Sequence, residues 1–466
     1  MECHFKNYKI ALVLCICIYQ STLGQDSNYW IHQYGTRADL LSGLVVGSVK
    51  DLSSTYYNPG AIPHSPEQSL VLTTDAFEFS TITAKNAAGE GEDLRSRQSG
   101  SAPGIFAVRL TSSASVKNHW AISYLTRNNF KLNIDSRNID PRPPSAGNLE
   151  QDYFSGEAAF SQSITEAWGG LTYGRRVWDR VAFGVTQYLA YRYQKSRAQL
   201  IGQLYDQTGE GSSLIFFEQL KFEHIRALWK IGLSFAYQPL SFGITFTTPG
   251  IGIYGSGETL YNLSKSGIDS SVLGTNQSSL ASNYQPNVAA AYHSPLSIAA
   301  GARYRLRQSS IYFTLEWFDR VNEFTVLAPE DFIAQSSGNS ISNRYEHELK
   351  SVTNYGLGIQ HEFSEKLSLY LSGTLDKSAR IPDSDSPFTI SDWDIYHLTL
   401  GSSLTFWRVD LTVGLTFSLG SRDTRQSLLS ARVKDTISEG RLDITEVKYR
   451  RLKFIIGFTI LSNPKG

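Results

Sequence analysis

Cysteine is scarce in this 466-residue chain, and all three copies, Cys3, Cys15 and Cys17, lie close to the N-terminus. Once a leader is removed, the chain has no thiol with which to form a disulfide framework or a cysteine-ligated metal site. Methionine occurs only as residue 1. No apolar run after residue 24 is long enough to span a bilayer as a helix. These absences exclude a disulfide scaffold and a helical membrane protein.

The chain also lacks an excess of charge of either sign. It has 43 Lys and Arg against 43 Asp and Glu, so its net charge is zero and no nucleic-acid partner is expected. Aromatic residues are plentiful instead, with 25 Tyr, 24 Phe and 8 Trp. Tyr and Trp in such numbers suit the two aromatic belts of a membrane protein. The mean hydropathy of −0.23 does not contradict this, because a β-barrel hides its apolar residues by alternation.

The N-terminus has the three parts of a secretory signal peptide. Lys6 and Lys9 precede an apolar run over residues 10–19, and the small residues Thr22 and Gly24 come just before Gln25. Residues 1–24 are therefore predicted to be cleaved. Cys15 lies in the middle of the apolar run, so we do not expect it to be a lipid-attachment site.

Strict alternation of apolar and polar residues predicts β-strands. The clearest strand runs over residues 409–419, where every odd position from Val409 to Leu419 is apolar and every even position is polar or glycine. The same period of two recurs at residues 367–372 and 452–458. One face of each strand is thus suited to lipid and the other to a polar interior.

Fourteen strands of this kind are predicted, and the connections between them sort by parity. The strands cover approximately residues 69–84, 102–111, 119–133, 162–176, 181–195, 224–238, 241–254, 297–307, 310–324, 350–363, 366–377, 393–405, 407–420 and 444–460. Long segments such as 85–101, 134–161 and 421–441 follow odd strands, and tight turns such as those at 239–240, 364–365 and Trp407 follow even strands. A soluble β-sandwich would not separate loop lengths in this way. The pattern predicts an all-β fold, a 14-stranded antiparallel transmembrane barrel over residues 69–466, located in a bacterial outer membrane.

Residues 25–68 differ from the strands and are predicted to form a hatch inside the lumen. A turn-rich segment, 51–63, contains Tyr56-Tyr57 followed by Asn58-Pro59-Gly60-Ala61. With the small residues from Gly47 onward, this segment resembles the N-terminal hatch of the FadL/OmpP1/TodX family of outer-membrane transporters. Asn-Pro-Ala-Gly is the commoner order in that family. Segments 170–174 and 181–185 are similar to the family's central strands.

The resemblance implies uptake of long-chain fatty acids, hydrocarbons or other hydrophobic small molecules through a plugged barrel. The ligand would land on apolar outer loops, enter a pocket in the lumen and leave sideways into the membrane lipid. We expect a monomer that needs no cofactor. Five residues are predicted to define the hatch and its gating, with Pro59 fixing one backbone angle and Gly60 supplying a positive φ: Tyr56, Tyr57, Asn58, Pro59 and Gly60.

Two apolar groups are predicted as ligand-landing residues. Leu214, Ile215, Phe216 and Phe217 fall in the third long loop of the predicted topology, where four apolar residues in a row are unusual. The second group lies near the top of the next strand and comprises Ile251, Ile253 and Tyr254. The alternative interpretation of the first group is a hairpin that extends the barrel and packs against itself.

Four cations are predicted to face the lumen and to meet a ligand carboxylate. If Ile298 and Tyr304 face lipid, the alternation turns Arg303 and Arg305 inward, together with Glu316 across the turn. The same argument turns Arg451 and Lys453 inward in the last strand. An arginine can hold a carboxylate by two parallel hydrogen bonds. The alternative is that these charges pair with one another or with the hatch.

No catalytic or metal-binding residue is predicted. Residues 250–255 fit the pattern GxGxxG, but they end a barrel strand and open no helix, as a dinucleotide site would require. The chain has no Walker loop, no HExxH and no GxSxG. Two alternatives to transport stay open: a barrel of the same fold that serves protein secretion or shuttling, and an outer-membrane lipid hydrolase.

Overall fold

The computed structural model describes ten segments of the chain, 27–64, 68–85, 93–111, 117–139, 153–205, 211–267, 278–381, 391–407, 409–422 and 446–461. The predicted leader and the C-terminal tail lie outside these residues. No helix within the described segments is long and apolar enough to cross a membrane.

The described residues form twenty strands and three short helical segments. The helical segments are α1 (Thr36–Leu40), α2 (Ser54–Tyr57) and a 3-10 turn at Pro59–His64. The strands are β1 (Gln68–Lys85), β2 (Leu94–Arg109), β3 (Asn118–Ile139), β4 (Tyr153–Trp178), β5 (Val181–Tyr205), β6 (Gly211–Ala236), β7 (Leu240–Thr247), β8 (Ile251–Ser266), β9 (Ser279–Ala289), β10 (Ser297–Leu306), β11 (Ser309–Phe318), β12 (Val321–Leu327), β13 (Phe332–Ile333), β14 (Ser340–Ile341), β15 (Tyr345–Leu349), β16 (Val352–Glu362), β17 (Leu367–Asp376), β18 (Ile395–Phe406), β19 (Val409–Arg422) and β20 (Glu446–Leu461).

Fourteen of these strands close into one antiparallel ring. The order around the ring is β1 to β7, then β10, β11 and β16 to β20, and β20 pairs back onto β1 along its full length. The predicted number of strands is therefore confirmed. Several strands are longer than predicted: β2 begins at Leu94, β4 at Tyr153 and β6 at Gly211, and β5 continues to Tyr205.

The outer surface of the ring is apolar and the inner surface is polar. On β19, Val413, Leu415 and Phe417 are 39–49% exposed, whereas Thr412, Thr416 and Ser418, which alternate with them, are buried. The other ring strands repeat this alternation, so the exterior carries a continuous apolar band that only lipid can cover. Single-chain barrels with an even strand number and such a band belong to outer membranes, which confirms the predicted location.

The wall is much taller on one side than on the other. The strands β4, β5 and β6 have 25 or 26 residues each, whereas β10, β11 and β17 have 10. At about 3.3 Å per residue, the long strands extend over about 85 Å and the short ones over about 33 Å.

The prediction that residues 214–217 belong to a loop is wrong, because β6 includes them and pairs there with β5 and β8.

Two predicted strands are divided in the structure. The predicted strand 241–254 is split into β7 and β8, both of which pair with β6, on either side of residues 248–250. The predicted strand 310–324 ends at Phe318, because β12 leaves the ring and pairs with β15 instead. The segment from β12 to β15 covers the free edge of β9, where the Ser336 amide donates to the Leu280 carbonyl at 3.2 Å.

The hatch, residues 27–64, fills the interior of the ring. Its apolar side chains, among them Tyr34, Leu40, Leu44 and Ile62, are fully buried. They pack against inward-facing wall residues such as Val71, Ile105 and Tyr188 in the largest apolar core of the molecule. The prediction of a plugged barrel is therefore confirmed.

The hatch contacts the wall at a band of inward-facing glycines. A Cβ atom on Gly60 of the hatch would lie 2.5 Å from the Gly232 carbonyl oxygen, and one on the wall residue Gly301 would lie 2.7 Å from the Gly47 amide nitrogen. Side chains at these positions are excluded, because backbone meets backbone. The wall members of this glycine band, each one in contact with a hatch atom, are Gly174, Gly184, Gly232, Gly243, Gly301, Gly356, Gly358, Gly401, Gly414 and Gly457.

Candidate functional site

The start of the hatch is fixed to the wall by a buried carboxylate. Asp376, at the end of β17, accepts hydrogen bonds from the backbone amides of Tyr29 (3.1 Å) and Trp30 (2.8 Å). The Asn354 side-chain amide also donates to this carboxylate, at 2.6 Å. Three donors therefore satisfy a fully buried acid, and they set the path of the first hatch residues across the lumen.

Two of the predicted ligand-binding cations hold the hatch instead. Arg451 and Lys453 face inward, as the strand alternation predicts, and both are buried. The Lys453 ammonium lies 2.9 Å from a carboxylate oxygen of Asp39 in the hatch. Arg451 donates to the Ile31 carbonyl at 3.0 Å and pairs with Glu78 of β1. Both cations already have buried partners. The alternative interpretation, in which they pair with the hatch, therefore fits them better than the binding of a ligand carboxylate.

Arg303 and Arg305 differ from each other in position. Arg303 is buried inside the barrel and donates to the Ser310 hydroxyl at 3.0 Å. Arg305 lies on the same inward-facing side of β10, opposite the buried Ser310, but it is exposed at the rim beside the turn. It pairs there with Glu362 at 3.2 Å and is not enclosed in the lumen. Glu316 faces inward as predicted and accepts from the Trp30 indole at 2.7 Å.

The predicted hatch and gating residues lie where the hatch meets the wall. The Asn58 side-chain amide donates to the carbonyls of Val46 in the hatch (3.0 Å) and Leu233 in β6 (2.9 Å). The Gly60 amide donates back to the Asn58 side-chain oxygen at 3.0 Å. Gly60 is not among the residues with a positive φ, so the predicted reason for a glycine there is wrong. Its close approach to Gly232 is the actual reason.

Tyr56 and Tyr57 organise the centre of the hatch. The Tyr57 hydroxyl donates to the Gln33 side chain at 2.8 Å and accepts from the Tyr34 amide at 2.9 Å. Burial raises the pKa of Tyr57 well above its ordinary value, so the hydroxyl stays protonated and keeps its donor role. The Tyr56 ring turns the other way and packs edge-on against Tyr34, at 4.6 Å between ring centroids.

The backbone ladder of the wall is interrupted between β2 and β3, and we call this interruption the window. Among the described residues, backbone pairing between β2 and β3 runs only from the pair Arg109–Ala121 up to the pair Ile105–Leu125. Above that point β2 stays paired with β1, and β3 stays paired with β4 after a bulge between Thr126 and Asn128. The strands approach again where the Asn133 amide lies 3.4 Å from the Ser96 hydroxyl.

The hatch lies against the lower edge of this window. The Tyr34 hydroxyl donates to the Thr126 carbonyl at 3.0 Å, at the first residue of β3 beyond the last pair with β2. The unpaired stretch that begins at Thr126 is about eight residues, or roughly 26 Å, long, and a shift of the hatch would remove its contact with this stretch.

A polar cavity of about 70 Å³ lies in the lumen beside the window. This lumen cavity is bounded by the first residues of the hatch, by Tyr56, by the inward face of β3 to β7, β10 and β11, and by residues 292–295. Two of its lining residues, Arg127 and Asn128, belong to the β3 bulge at the window's edge. The other lining residues used below are Glu166, Trp168, Arg192, Arg226, Lys230, Tyr292 and Glu316.

Cations outnumber carboxylates around the lumen cavity. Its lining includes four cations, Arg127, Arg192, Arg226 and Lys230, but only the two carboxylates of Glu166 and Glu316. Glu166 binds Arg192 at 2.9 Å and Arg226 at 2.6 Å. Glu316 binds the Trp30 indole and the Ser297 hydroxyl. The lining therefore keeps a net charge of +2.

Three of these cations retain free binding capacity. Arg226 is 1% exposed, and its Nε and Nη1 atoms have no hydrogen-bond partner among the described residues. Lys230 donates to the Thr247 hydroxyl at 2.8 Å and lies 4.6 Å from the centre of the Tyr56 ring, with no carboxylate in contact among the described residues. Arg127 lies 5.8 Å from the Trp168 ring, also without a carboxylate partner in the described part of the chain. Buried donors without acceptors favour an anionic ligand.

The predicted landing residues do not lie at this cavity. Phe216 is buried in a small core with Ala198 at the top of the tall wall, as the packing alternative predicts. Ile251, Ile253 and Tyr254 are 49–61% exposed on the outside of β8. Tyr254 also lies eight residues below Asn262, the partner of Phe217, so about 26 Å separates the two groups.

The strand alternation also marks the cavity residues as inward-facing, although they are not among the predicted site residues. Arg226 and Lys230 alternate with outward-facing Ile225 and Trp229 on β6, which is the pattern that correctly placed Arg451 in the interior. Glu166 and Arg192 obey the same rule on β4 and β5. The sequence can therefore identify these residues as inward-facing. It does not show that the four side chains meet, because these residues lie up to 64 positions apart in the chain.

Comparisons with known proteins find likeness in fold. No protein-family model and no curated protein sequence matches the chain. A Pseudomonas aeruginosa FadL homologue superposes with a TM-score of 0.61 at 11% identity, covering 94% of this chain and 100% of the homologue. The Pseudomonas putida toluene transporter TodX gives 0.60 at 10% identity, and the Ralstonia pickettii toluene transporter TbuX gives 0.53 at 10% identity. Each of these two alignments covers 92% of this chain and 99% of the toluene transporter.

At these identities the likeness establishes the fold. The chain has the plugged 14-stranded barrel of the FadL homologue and of the toluene transporters, over almost its whole length. The predicted resemblance to FadL/OmpP1/TodX proteins is therefore confirmed at the level of structure.

Proposed function

We propose that this protein takes up amphipathic molecules with an anionic head and a long apolar part, in the first place long-chain fatty acids, across the outer membrane. The observation that carries the proposal is the lumen cavity, where Arg127, Arg226 and Lys230 present donors that no carboxylate of the described residues satisfies. A carboxylate entering the cavity would gain charge-assisted hydrogen bonds from these cations.

The size and place of the cavity fit a head group and not a whole ligand. Its volume of about 70 Å³ is far below the roughly 300–1,000 Å³ of sites that enclose drug-sized molecules. The acyl chain would therefore lie outside the cavity and extend toward the window beside Arg127. Each CH₂ group that passes from water into lipid gains about 0.8 kcal/mol, so lateral exit is favourable.

The charge of the cavity favours fatty acids over neutral hydrocarbons. TodX and TbuX are toluene transporters, and toluene offers no group to a buried guanidinium. Glu166 satisfies one donor of Arg226, but leaving its buried Nε and Nη1 donors without an acceptor would be costly in a site that carried only neutral ligands. Neutral aromatic compounds are therefore the second substrate class.

The alternatives to uptake have less support. The solved structures that share the fold are transporters and channels, and we propose that this chain likewise has no enzymatic activity. A secretion or shuttle role would not explain the excess positive charge of the cavity lining. Because the barrel closes within one chain, we propose that it works as a monomer.

The proposal is tested by measuring fatty-acid binding to the purified full chain in a neutral detergent. The double variant Arg226→Gln and Lys230→Gln removes two cavity cations and keeps side chains of similar length. We expect about a tenfold or greater loss of oleate affinity, since each lost charge-assisted hydrogen bond contributes about 1.5–3 kcal/mol. Toluene serves as the neutral comparison, and its binding should change little.

The matched control is Arg303→Gln, which removes a buried lumen cation outside the cavity lining. It should bind oleate as the parent does. Equal oleate binding by the parent and the double variant would contradict the proposal, as would toluene binding that falls in parallel with oleate. A stoichiometric protein partner that copurifies without lipid would favour the secretion alternative.

A further inference from the structure

The outer surface of the barrel carries a cluster of cations on three adjacent strands. The register places Arg97 of β2 and Arg450 of β20 on either side of Thr81 in β1, and Arg95 and Lys448 on either side of Thr83. All four are on the outward phase of their strands, and Lys85 follows one step above on β1. This outer basic face consists of Lys85, Arg95, Arg97, Lys448 and Arg450.

Carboxylates compensate only part of this charge. Glu446 pairs with Lys85 at 2.7 Å and with Lys448 at 3.1 Å, and Asp93 lies 3.5 Å from Arg95. Among the described residues of this face, five cations against two carboxylates leave a net charge of +3. Neither Arg97 nor Arg450 has an ion-pair partner in the described part of the chain.

The outer basic face lies directly above the apolar band. One step below Arg450 on the outward phase is Leu452, whose neighbours across the ladder are Phe79 of β1 and Phe417 of β19. Phe79 is 50% exposed and Phe417 is 43% exposed, as lipid-facing side chains are. The cations are therefore at the height where the acyl region of the outer leaflet ends and its head groups begin.

A groove of about 600 Å³ adjoins the outer basic face and shares two of its residues, Lys448 and Arg450. Its lining also includes Lys350 and the outward-facing Tyr396, which is 63% exposed. Its two carboxylates are engaged, since Asp392 pairs with Arg422 and Asp394 accepts from the Ser378 amide at 2.9 Å. The groove extends the excess of positive charge around the barrel toward β18.

We propose that the outer basic face and this groove bind a phosphorylated glycolipid of the outer leaflet. From the membrane upward, the surface offers an apolar band and then cations, and the groove with the exposed Tyr396 lies beside Arg450 at the same height. Such a lipid matches this arrangement, because its acyl chains lie below a head group in which phosphate groups and sugar are side by side. Guanidinium groups bind phosphate oxygens by paired hydrogen bonds, and their stems can lie along apolar surface.

The test measures binding of bisphosphorylated lipid A to the full chain by native mass spectrometry from neutral detergent. Arg97→Gln with Arg450→Gln removes the two cations that have no carboxylate partner, so no ion pair is lost. We expect about a tenfold or greater fall in affinity, because cations near the membrane surface attract anionic lipids and two of the five are removed. The affinity of the parent should also fall as the salt concentration rises.

The matched control carries Arg175→Gln and Lys366→Gln, which remove two exposed cations at the opposite rim. Its affinity should stay within about twofold of the parent value, because exposed charges far from a ligand are screened. The variants are compared only if their thermal unfolding matches that of the parent. If the double variant does not fold, Arg97→Gln and Arg450→Gln are measured separately.

Four results would overturn the proposal: undiminished binding by the double variant, an equal loss in the control, equal binding of lipid A from which the phosphates have been removed, or equal binding of phosphatidylglycerol. The site is outside the lumen and independent of the proposed fatty-acid cavity. A change of oleate binding therefore has no bearing on it.

Discussion

At the scale of single residues, contact between hatch and wall depends on positions that carry no side chain. Gly60 approaches Gly232, and Gly47 approaches Gly301, so closely that a Cβ on either would overlap a backbone atom. The backbone of an interior strand does not yield easily, because both of its edges are hydrogen-bonded. The glycines therefore fix the depth of the hatch more firmly than an equal number of polar contacts would.

Gly60→Ala should therefore destabilise the folded barrel. The added Cβ would lie 2.5 Å from the Gly232 carbonyl oxygen, so hatch or wall must shift. We expect the free energy of unfolding to fall by about 1–3 kcal/mol, the usual cost of overpacking. Urea unfolding in detergent, followed by tryptophan fluorescence, measures it. Gly169→Ala is the control, since nothing lies within 4 Å of the added atom; equal stability of the two variants would contradict the role assigned to Gly60.

Residue orientation could be predicted from the sequence, whereas residue partners could not. Alternation correctly turned Arg451, Lys453 and Glu316 inward. It did not reveal that Lys453 meets Asp39 or that Glu316 meets Trp30, because those partners are 414 and 286 positions away. Orientation is a local property of a strand, but a contact depends on how the whole ring closes. The predicted role of Arg451 and Lys453 in binding a ligand carboxylate consequently had no local support.

At the scale of the elements, the strands were predicted and the interruptions in the wall were not. All fourteen ring strands follow from their period of two. The window between β2 and β3 leaves that period almost unchanged, since each strand keeps one neighbour while it loses the other. A missing ladder is a property of two strands, and neither sequence shows it alone. The division of β7 from β8 is more visible, because Pro249 and Gly250 interrupt the pattern.

The window makes a prediction for hydrogen exchange. In an antiparallel strand successive amides point to opposite edges, so about half of the amides over residues 126–132 should lack a partner in the ladder. Those amides should exchange faster than the amides over residues 181–195 of β5, which is paired on both sides. Mass spectrometry of deuterated peptides from the detergent-bound protein measures this. Equal protection of the two segments would mean that the window is closed in solution.

At the scale of the whole molecule, the hatch closes a lumen that would otherwise be wide. A ring of fourteen strands encloses more space than its own side chains fill, and residues 27–64 occupy that space. The sequence supports this division, because the turn-rich segment 51–63 could not belong to the wall. How the hatch is held by Asp376 and by the glycine band became visible only in the folded structure.

Removal of residues 27–64 should therefore open the barrel to ions. In planar bilayers the parent should carry no steady current, because the hatch contacts the wall on most sides. The shortened protein should conduct, provided that circular dichroism shows its strands intact. A variant with intact strands that stays closed would show that other segments also block the lumen.

The unequal height of the wall gives the molecule a direction within the plane of the membrane. A barrel of uniform height looks the same to neighbours on every side, but here β4, β5 and β6 are more than twice as long as β10, β11 and β17. A neighbouring protein can therefore distinguish a high flank from a low one. The window between β2 and β3 lies at the boundary of the high flank, so cargo that leaves through it enters the lipid on one defined side of the molecule.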